Sequence, residues 1–405
     1  MRDAHDNEDG TAARSGVGEV FMAFLRLGLT SFGGPVAHLG YFREAFVVRR
    51  RWLTETEYAD LVALCQFLPG PASSQVGFAI GLSRAGWAGA AAAFFAFTAP
   101  SAALLVGFAS AAASISGPIG TGALQGLKLV AVAIVAQAVW GMARSLCPDR
   151  PRAAIAVGAA AVLAFAPGPF AMAGAILLGG AAGLALGGAG ADPARRAIAA
   201  PVSHGAAAAA GLAFAALLVG LPLVAGLSQS LAVVDAFYRA GALVFGGGHV
   251  VLPLLQAEVV APGWIGEDAF LAGYGAAQAV PGPLFTIAAY LGAAMGPAPN
   301  GVLGAIIALT AVFLPGFLIL IALLPFWDRL RSMTTARAAM QGANAAVVGI
   351  LGSALYAPVF TGAVADAKDF ALALGCFVAL TVWGAPSWLV VIVGMVGGVG
   401  LQLLR

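Results

Sequence analysis

Apolar residues run along this chain in stretches of bilayer-crossing length, and four of those stretches break in the middle. The first covers 21–46 and breaks at Phe32-Gly33-Gly34-Pro35; the second covers 60–81 and breaks at Pro69-Gly70-Pro71. Unbroken runs follow at 87–113, 119–143, 153–166 and 170–186, then a polar linker at 190–204 and one more run at 205–227. The pattern then restarts. Runs at 233–260 and 268–292 break at Phe245-Gly246-Gly247-Gly248 and Pro281-Gly282-Pro283, and unbroken ones follow at 302–326, 338–359, 370–383 and 387–404. About 20 apolar residues in a helix span a hydrocarbon core of roughly 30 Å, for which 153–166 and 370–383 are short. Backbone that leaves a helix near the bilayer midplane must be covered by protein or line a wet cavity.

The restart is a repeat of residues as well as of hydropathy. Arg26 and Phe32-Gly33-Gly34 match Arg239 and Phe245-Gly246-Gly247 at an offset of 213. Trp52, Gln66 and Pro69-Gly70-Pro71 match Trp264, Gln278 and Pro281-Gly282-Pro283 at an offset of 212. Further on, Pro100 pairs with Pro315 and Gln125-Gly126 with Gln341-Gly342. Cytoplasmic loops carry the excess of Lys and Arg, so loop charge orients each half. Arg43, Arg49, Arg50 and Arg51 follow the first broken segment, whereas the equivalent loop at 257–266 has no basic residue. Conversely, Arg329, Arg331 and Arg337 have an uncharged counterpart at 114–118. Arg144, Arg150 and Arg152 then face Lys368 alone. Every comparison changes sign, so the halves are inverted. Arg84, just past the second broken segment, shares the basic side with the loop before it; that segment enters, breaks and returns. Extended to all four, this predicts an all-α polytopic membrane protein of two inverted-topology repeats, with re-entrant hairpins meeting near the bilayer midplane. The predicted divisions are a disordered N-terminus at 1–16, repeats at 17–190 and 231–405, and a linker with one connecting helix at 191–230.

Composition agrees with this class. Of 405 residues, 61% are hydrophobic and 9% charged, against about a quarter charged in soluble domains. The 55 glycines suit helices that approach closely through small residues. A net charge of +2 without a basic tract excludes nucleic acid as an expected partner. Cys65, Cys147 and Cys376 are scattered, and His5, His38, His204 and His249 have no metal-ligand spacing, so neither a disulfide framework nor a metal or other cofactor is expected. The N-terminus lacks the pattern of a secretory signal.

The breaks carry the candidate chemistry. Each ends one half-helix and starts another, and a helix start offers unpaired N–H groups and partial positive charge to an anion. The glycines Gly33, Gly34, Gly70, Gly246, Gly247 and Gly282 open four such starts, which converge if the hairpins meet; packed kinks are the alternative. Ser73, Ser74 and Thr286 add hydroxyls in the turns that follow. Arg26 and Arg239 lie about two turns before a break. Arginine at membrane depth costs at least about 2.5 kcal/mol, so it faces a partner or a wet cavity unless it snorkels to the headgroups. Its planar fork suits a tetrahedral oxyanion, and two arginines match a divalent one. His38 and His249 follow the first breaks of each half, as anion or proton ligands or as satisfied helix-start residues. Gln66 and Gln278 precede Pro-Gly-Pro, as substrate donors or caps of freed backbone. Lys128 is intramembrane but pairs with Asn344 in the repeat, and Asp235, Glu57 and Asp60 sit near segment ends.

These residues resemble the chromate ion transporter family in its long, two-domain form. Phe-Gly-Gly-Pro35 with His38, Arg49-Arg50-Arg51-Trp52 and Gln66-Phe-Leu-Pro-Gly-Pro71 are similar to its first half. Phe245-Gly-Gly-Gly-His249, Gln278-Ala-Val-Pro-Gly-Pro283 and Tyr290-Leu-Gly resemble its second. The likeness covers nearly everything past Gly16. It implies a multi-pass protein of the bacterial inner membrane that exports chromate, with sulfate as the structural mimic; a homodimer is a further expectation. The residues themselves indicate only an intramembrane site for an anion.

Without a Walker A sequence or a phosphorylation motif, ATP drive is not expected. A secondary carrier is the leading reading; a sulfate or other oxyanion carrier and an anion channel are the alternatives. An intramembrane enzyme needs a nucleophile–base pair or a metal cluster at depth, and no HExxH or serine-based constellation is present.

Overall fold

The computed structural model describes residues 16–112, 117–166, 168–187 and 202–405, which contain helices and no strand. The N-terminal segment expected to be disordered lies, but for Gly16, outside the described residues, as do residues 190–201 of the polar linker and most of the loop at 114–118.

Each broken segment folds back on itself. Helix α1 (Val17–Thr30) ends before Gly33 and Gly34, whose φ of 101° and 77° reverse the chain into α2 (Gly34–Arg43), with Pro35 in its first turn. The rings of Phe24 and Phe42 lie 5.6 Å apart, whereas a straight helix separates residues 18 apart by ~27 Å. The π-helical turn Glu44–Arg49 then leads to α3 (Glu55–Phe67), opened by a reciprocal capping box between Thr54 and Glu57. Gly70, at φ 114°, reverses the chain again into α4 (Ala72–Ala112), which bends at Ala85 and Gly86. Arg84 at that bend stacks 5.3 Å over Trp52, so the second hairpin leaves where it entered, as the loop charges predicted.

Helices α5 (Gly117–Leu146), α6 (Arg150–Phe165) and α7 (Pro169–Leu186) complete the first repeat, and α8 (His204–Val224) connects to the second. There α9 (Gln229–Ala242) and α10 (Val251–Val259) form the third hairpin, joined by Arg239 and Glu258 at 2.9 Å. In the fourth, α11 (Glu267–Ala277) and α12 (Ile287–Ala294) are tied by the Tyr290 hydroxyl donating to the Ala269 carbonyl near the start of α11, 2.9 Å, and at the mouth by the Gly296 amide donating to the Trp264 carbonyl, 2.9 Å. Then follow α13 (Gly301–Leu323), α14 (Trp327–Ser332), α15 (Thr334–Ala354), α16 (Thr361–Ala363), α17 (Ala367–Thr381) and α18 (Ser387–Leu403). Five helices, counting short extensions at their ends, are long and apolar enough to cross a membrane among the described residues. Exposed Phe165, Phe170, Leu223 and Trp383 give the outer surface an apolar character.

Two contacts fix how the halves relate. The Gly70 amide donates to the Val244 carbonyl at 2.8 Å, and the Gly282 amide donates to the Ser31 carbonyl at 2.9 Å. Ser31 and Val244 are repeat equivalents, as are Gly70 and Gly282, so one bond is made twice about a pseudo-two-fold axis. The long spans also swap. Gly126 on α5 lies against the backbone of Gly394 and Gly398 on α18, while its equivalent Gly342 on α15 lies against Gly179 and Gly183 on α7. Small residues permit that approach, which lipid alone does not drive. The Gln125 side chain, near the start of α5, donates to the carbonyl of Ala363 beyond the end of α15, 2.6 Å away. Gln137, further along α5, shares a cavity with Asn344 at the middle of α15. The equivalent spans α5 and α15 are therefore antiparallel, which is what inverted halves require.

Candidate functional site

Three of the four breaks open onto one cavity of about 630 Å³, within the usual range of small-ligand sites, roughly 300–1,000 Å³. Gly33 and Pro35 come from the first break, Gln66, Gly70 and Ala72 from the second, and Gly246, Gly247, Gly248 and His249 from the third. The starts of α2, α4 and the Gly248–Val250 turn leading into α10 thus border a single space. Gly33, Gly34, Gly70, Gly246 and Gly247 all have positive φ, a conformation that a side chain with Cβ resists. A Cβ on Gly34 would come within 4.0 Å of the His249 Nε2, which puts Gly34 at the edge of the same space. The opposite wall is α5, through Gln137, Gly141 and Ser145, one helical turn apart from each other, with Asn344 from α15 beside them. The Asn344 carboxamide oxygen is buried and makes no hydrogen bond. None of the residues named here bears a fixed charge; the site consists of amides, hydroxyls, helix ends and one imidazole.

The cavity gathers Gly33, Gln66, Gly70, Gly246, Gly247 and His249 from the residues singled out in the sequence, with Gly34 at its edge. The rest lie elsewhere. Gly282 gives its N–H to Ser31 and packs against Ser101, and Gln278 is buried outside the cavity with its amide nitrogen unbonded. The fourth break therefore belongs to the interlock. Thr286 is fully buried and donates to the Pro283 carbonyl at 2.7 Å, which closes its own turn. His38 is fully buried, with Nδ1 3.4 Å from the Ser73 hydroxyl and its ring edge-on to Phe97, inside the first repeat. Ser74 is buried nearby without a hydrogen-bond partner for its hydroxyl.

The two arginines are not brought together. Arg239 holds Asp235 at 2.8 Å and Glu258 at 2.9 Å, all three largely buried. This triad braces the third hairpin. Arg26 lies exposed on α1, on the face that also carries exposed Met22 and Leu29. The first repeat has Met22 and Ala45 where the second has Asp235 and Glu258, so Arg26 has no equivalent carboxylates to hold. His249, by contrast, is fixed in place: its Nδ1 is 2.7 Å from the Tyr274 hydroxyl on α11.

Sequence reading missed Gln137, Ser145 and the placement of Asn344. The signal was available: Gln137, Gly141 and Ser145 recur every fourth residue, leaving one face of an otherwise apolar helix small and polar.

A family model described as chromate transporter matches residues 18–185 and 231–399, covering both repeats. The chain is 28% identical to the chromate transport protein of Pseudomonas aeruginosa over 83% of its own length and 79% of that protein's. It is 27% identical to the chromate transport protein of Cupriavidus metallidurans, over 83% and 81% respectively. An uncharacterized transporter of Methanocaldococcus jannaschii is 26% identical over 82% of each chain. No solved structure matches.

Proposed function

The chain belongs to the chromate transporter family, and we propose that it is a secondary carrier that moves chromate out of the cell, holding the anion in the cavity between the first three breaks. One observation carries this reading: three helix starts and the carboxamides of Gln66, Gln137 and Asn344 surround a space free of carboxylates. A helix start stabilises an anion through its free N–H groups and its dipole, and the low dielectric of a membrane interior strengthens such fixed dipoles. A carboxamide turns either its oxygen or its NH₂ group toward a ligand, so Asn344 suits an oxyanion without any charge of its own. Dipoles in place of guanidinium groups also favour release. A fixed charge pair would hold a dianion tightly, whereas a carrier must let it go. The volume exceeds what a four-oxygen anion fills and leaves room for part of its hydration shell.

The same lining recognises charge and tetrahedral shape rather than the central atom, so sulfate competes for this site. Arg26 and Arg239 act outside it, Arg239 as a brace. The division into repeats at 17–190 and 231–405, joined through 191–230, follows from the same reading. The test is flux of radiolabelled chromate and sulfate in inside-out and right-side-out vesicles under imposed pH gradients, comparing wild type with Gln66→Ala and Asn344→Ala. Saturable chromate flux that sulfate inhibits and that both variants weaken supports the proposal. Unsaturable flux, or variants with wild-type half-saturation, overturns it.

A further inference from the structure

A second cavity, of about 780 Å³, lies at the other end of α5. Thr121, Gln125, Lys128, Asp268, Tyr290 and Thr361 are among its walls. Its position follows from the repeat. At the offset of 216 that matches Gln125-Gly126 to Gln341-Gly342, Lys128 is equivalent to Asn344 and Ser145 to Thr361. Asn344 and Ser145 line the first cavity; Lys128 and Thr361 line the second. Two equivalent pairs are thus divided between the cavities, one member of each on either side. Between them α5 is sealed: Leu129 through Val135 are all buried, and the nine steps from Lys128 to Gln137 rise ~14 Å.

We propose that this second cavity is the opposite mouth of the transport path, and that Lys128 is the cation that meets the oxyanion there. The proposal rests on the first cavity's being the anion site. Lys128 is set into the wall, 13% exposed, and its Nζ is 2.8 Å from the Asp268 carboxylate, which is 80% exposed. An ammonium anchored in protein and covered by a loosely held carboxylate is a docking group whose partner an anion displaces. Arg405 also reaches this cavity but is held by two carboxylates, Asp366 and the fully buried Asp369, whereas Lys128 is paired with Asp268, which is mostly exposed. Arg144, Arg150 and Arg152 follow the far end of α5 and mark it cytoplasmic, so the second mouth faces outward. In an inverted repeat the two mouths exchange roles when the halves exchange conformations. Asn344 on one side and Lys128 on the other make the exchange unequal: the outer mouth carries a charge that the inner one lacks.

The experiment uses single Thr361→Cys and Ser145→Cys variants of the full chain in oriented membrane vesicles. A membrane-impermeant maleimide is applied to either face, with the wild-type chain, which carries Cys65, Cys147 and Cys376, as the blank. Sulfate serves as the probe because it does not oxidise thiols. Labelling of Thr361→Cys from the outer face alone, slowed several-fold by sulfate, with the slowing lost on adding Lys128→Gln, is the expected result. Asp268→Asn, which removes the competing carboxylate, shifts the protection to lower sulfate concentration. Labelling of Thr361→Cys from the cytoplasmic face overturns the proposal, as does the absence of sulfate protection there or protection that survives Lys128→Gln. Protection at Thr361→Cys without protection at Ser145→Cys removes the first cavity as the anion site, and with it the second cavity's role as the opposite mouth, leaving only anion binding at Lys128.

Discussion

Pro35 and Gly248 occupy equivalent positions in the two repeats and touch each other: a Cβ built on Gly248 lies 2.9 Å from the Pro35 Cγ. A position that meets its own repeat image sits on the pseudo-two-fold axis. The two helix starts bordering the first cavity therefore meet at that axis.

Replacing Gly248 with alanine forces that contact apart. Overpacking of a tight core site costs typically about 1–3 kcal/mol, so the variant is expected to unfold at lower temperature and to transport slowly. Pro35→Ala removes the opposing atoms and restores both in the double variant. Thermal unfolding in detergent and vesicle flux check this; a double variant no better than Gly248→Ala rules the contact out as the cause.

Arg239→Gln strands two neighbouring carboxylates, Asp235 and Glu258, that are each less than a tenth exposed. Removing one partner of a buried ion cluster costs about 3–5 kcal/mol, so folded protein is largely lost. The triple variant with Asp235→Asn and Glu258→Gln recovers it. Arg26→Gln, on an exposed face, shifts stability by less than about 0.5 kcal/mol and retains transport. Yield of monodisperse protein and chromate flux separate the two arginines; equal loss of flux with intact folding in both single variants returns them to the binding site.

The equivalent glutamines diverge in the same way. Gln66→Ala raises the half-saturating chromate concentration with little change in unfolding temperature, because Gln66 is exposed to the first cavity. Gln278→Ala acts on stability, because Gln278 is buried at the interlocked fourth break. Kinetics and thermal unfolding of both variants show whether the effects sort this way.

Outside the spans, Asp149 caps α6 and pairs with Arg152, whose side-chain hydrogen bond, reinforced by its backbone N–H, holds the carboxyl below its ordinary value of 3.8. A carboxyl lowered on folding stabilises the protein fully above the ordinary value and less as pH falls through the lowered one. Asp149→Ala is therefore less stable than wild type at neutral pH, and the gap closes below pH 3.8. Unfolding temperatures across that range provide the measurement.

The hairpins and the inversion were legible because both rest on local chemistry: Gly-Gly-Pro and Pro-Gly-Pro punctuate helices, and arginine counts orient loops. The pairing of breaks was not legible, since nothing near Gly70 in sequence names Val244 as its acceptor. The arginines misled for a specific reason. Asp235 lies one helical turn before Arg239, but Glu258 reaches it only once the third hairpin has closed. The polar face of α5 had the right spacing, yet only the fold shows that this face meets the breaks.

The exchange of α5 and α15 between halves has a consequence for biosynthesis. Helix α7 ends at Leu186, and the helix that covers its glycines begins at Thr334. At ribosomal speeds of about 5–20 residues per second, α7 waits roughly 7–30 s for its partner. Through that interval Gly179 and Gly183 face lipid or a chaperone, and the first half is a clasp without its pin. The fold is completed only as its last quarter enters the membrane.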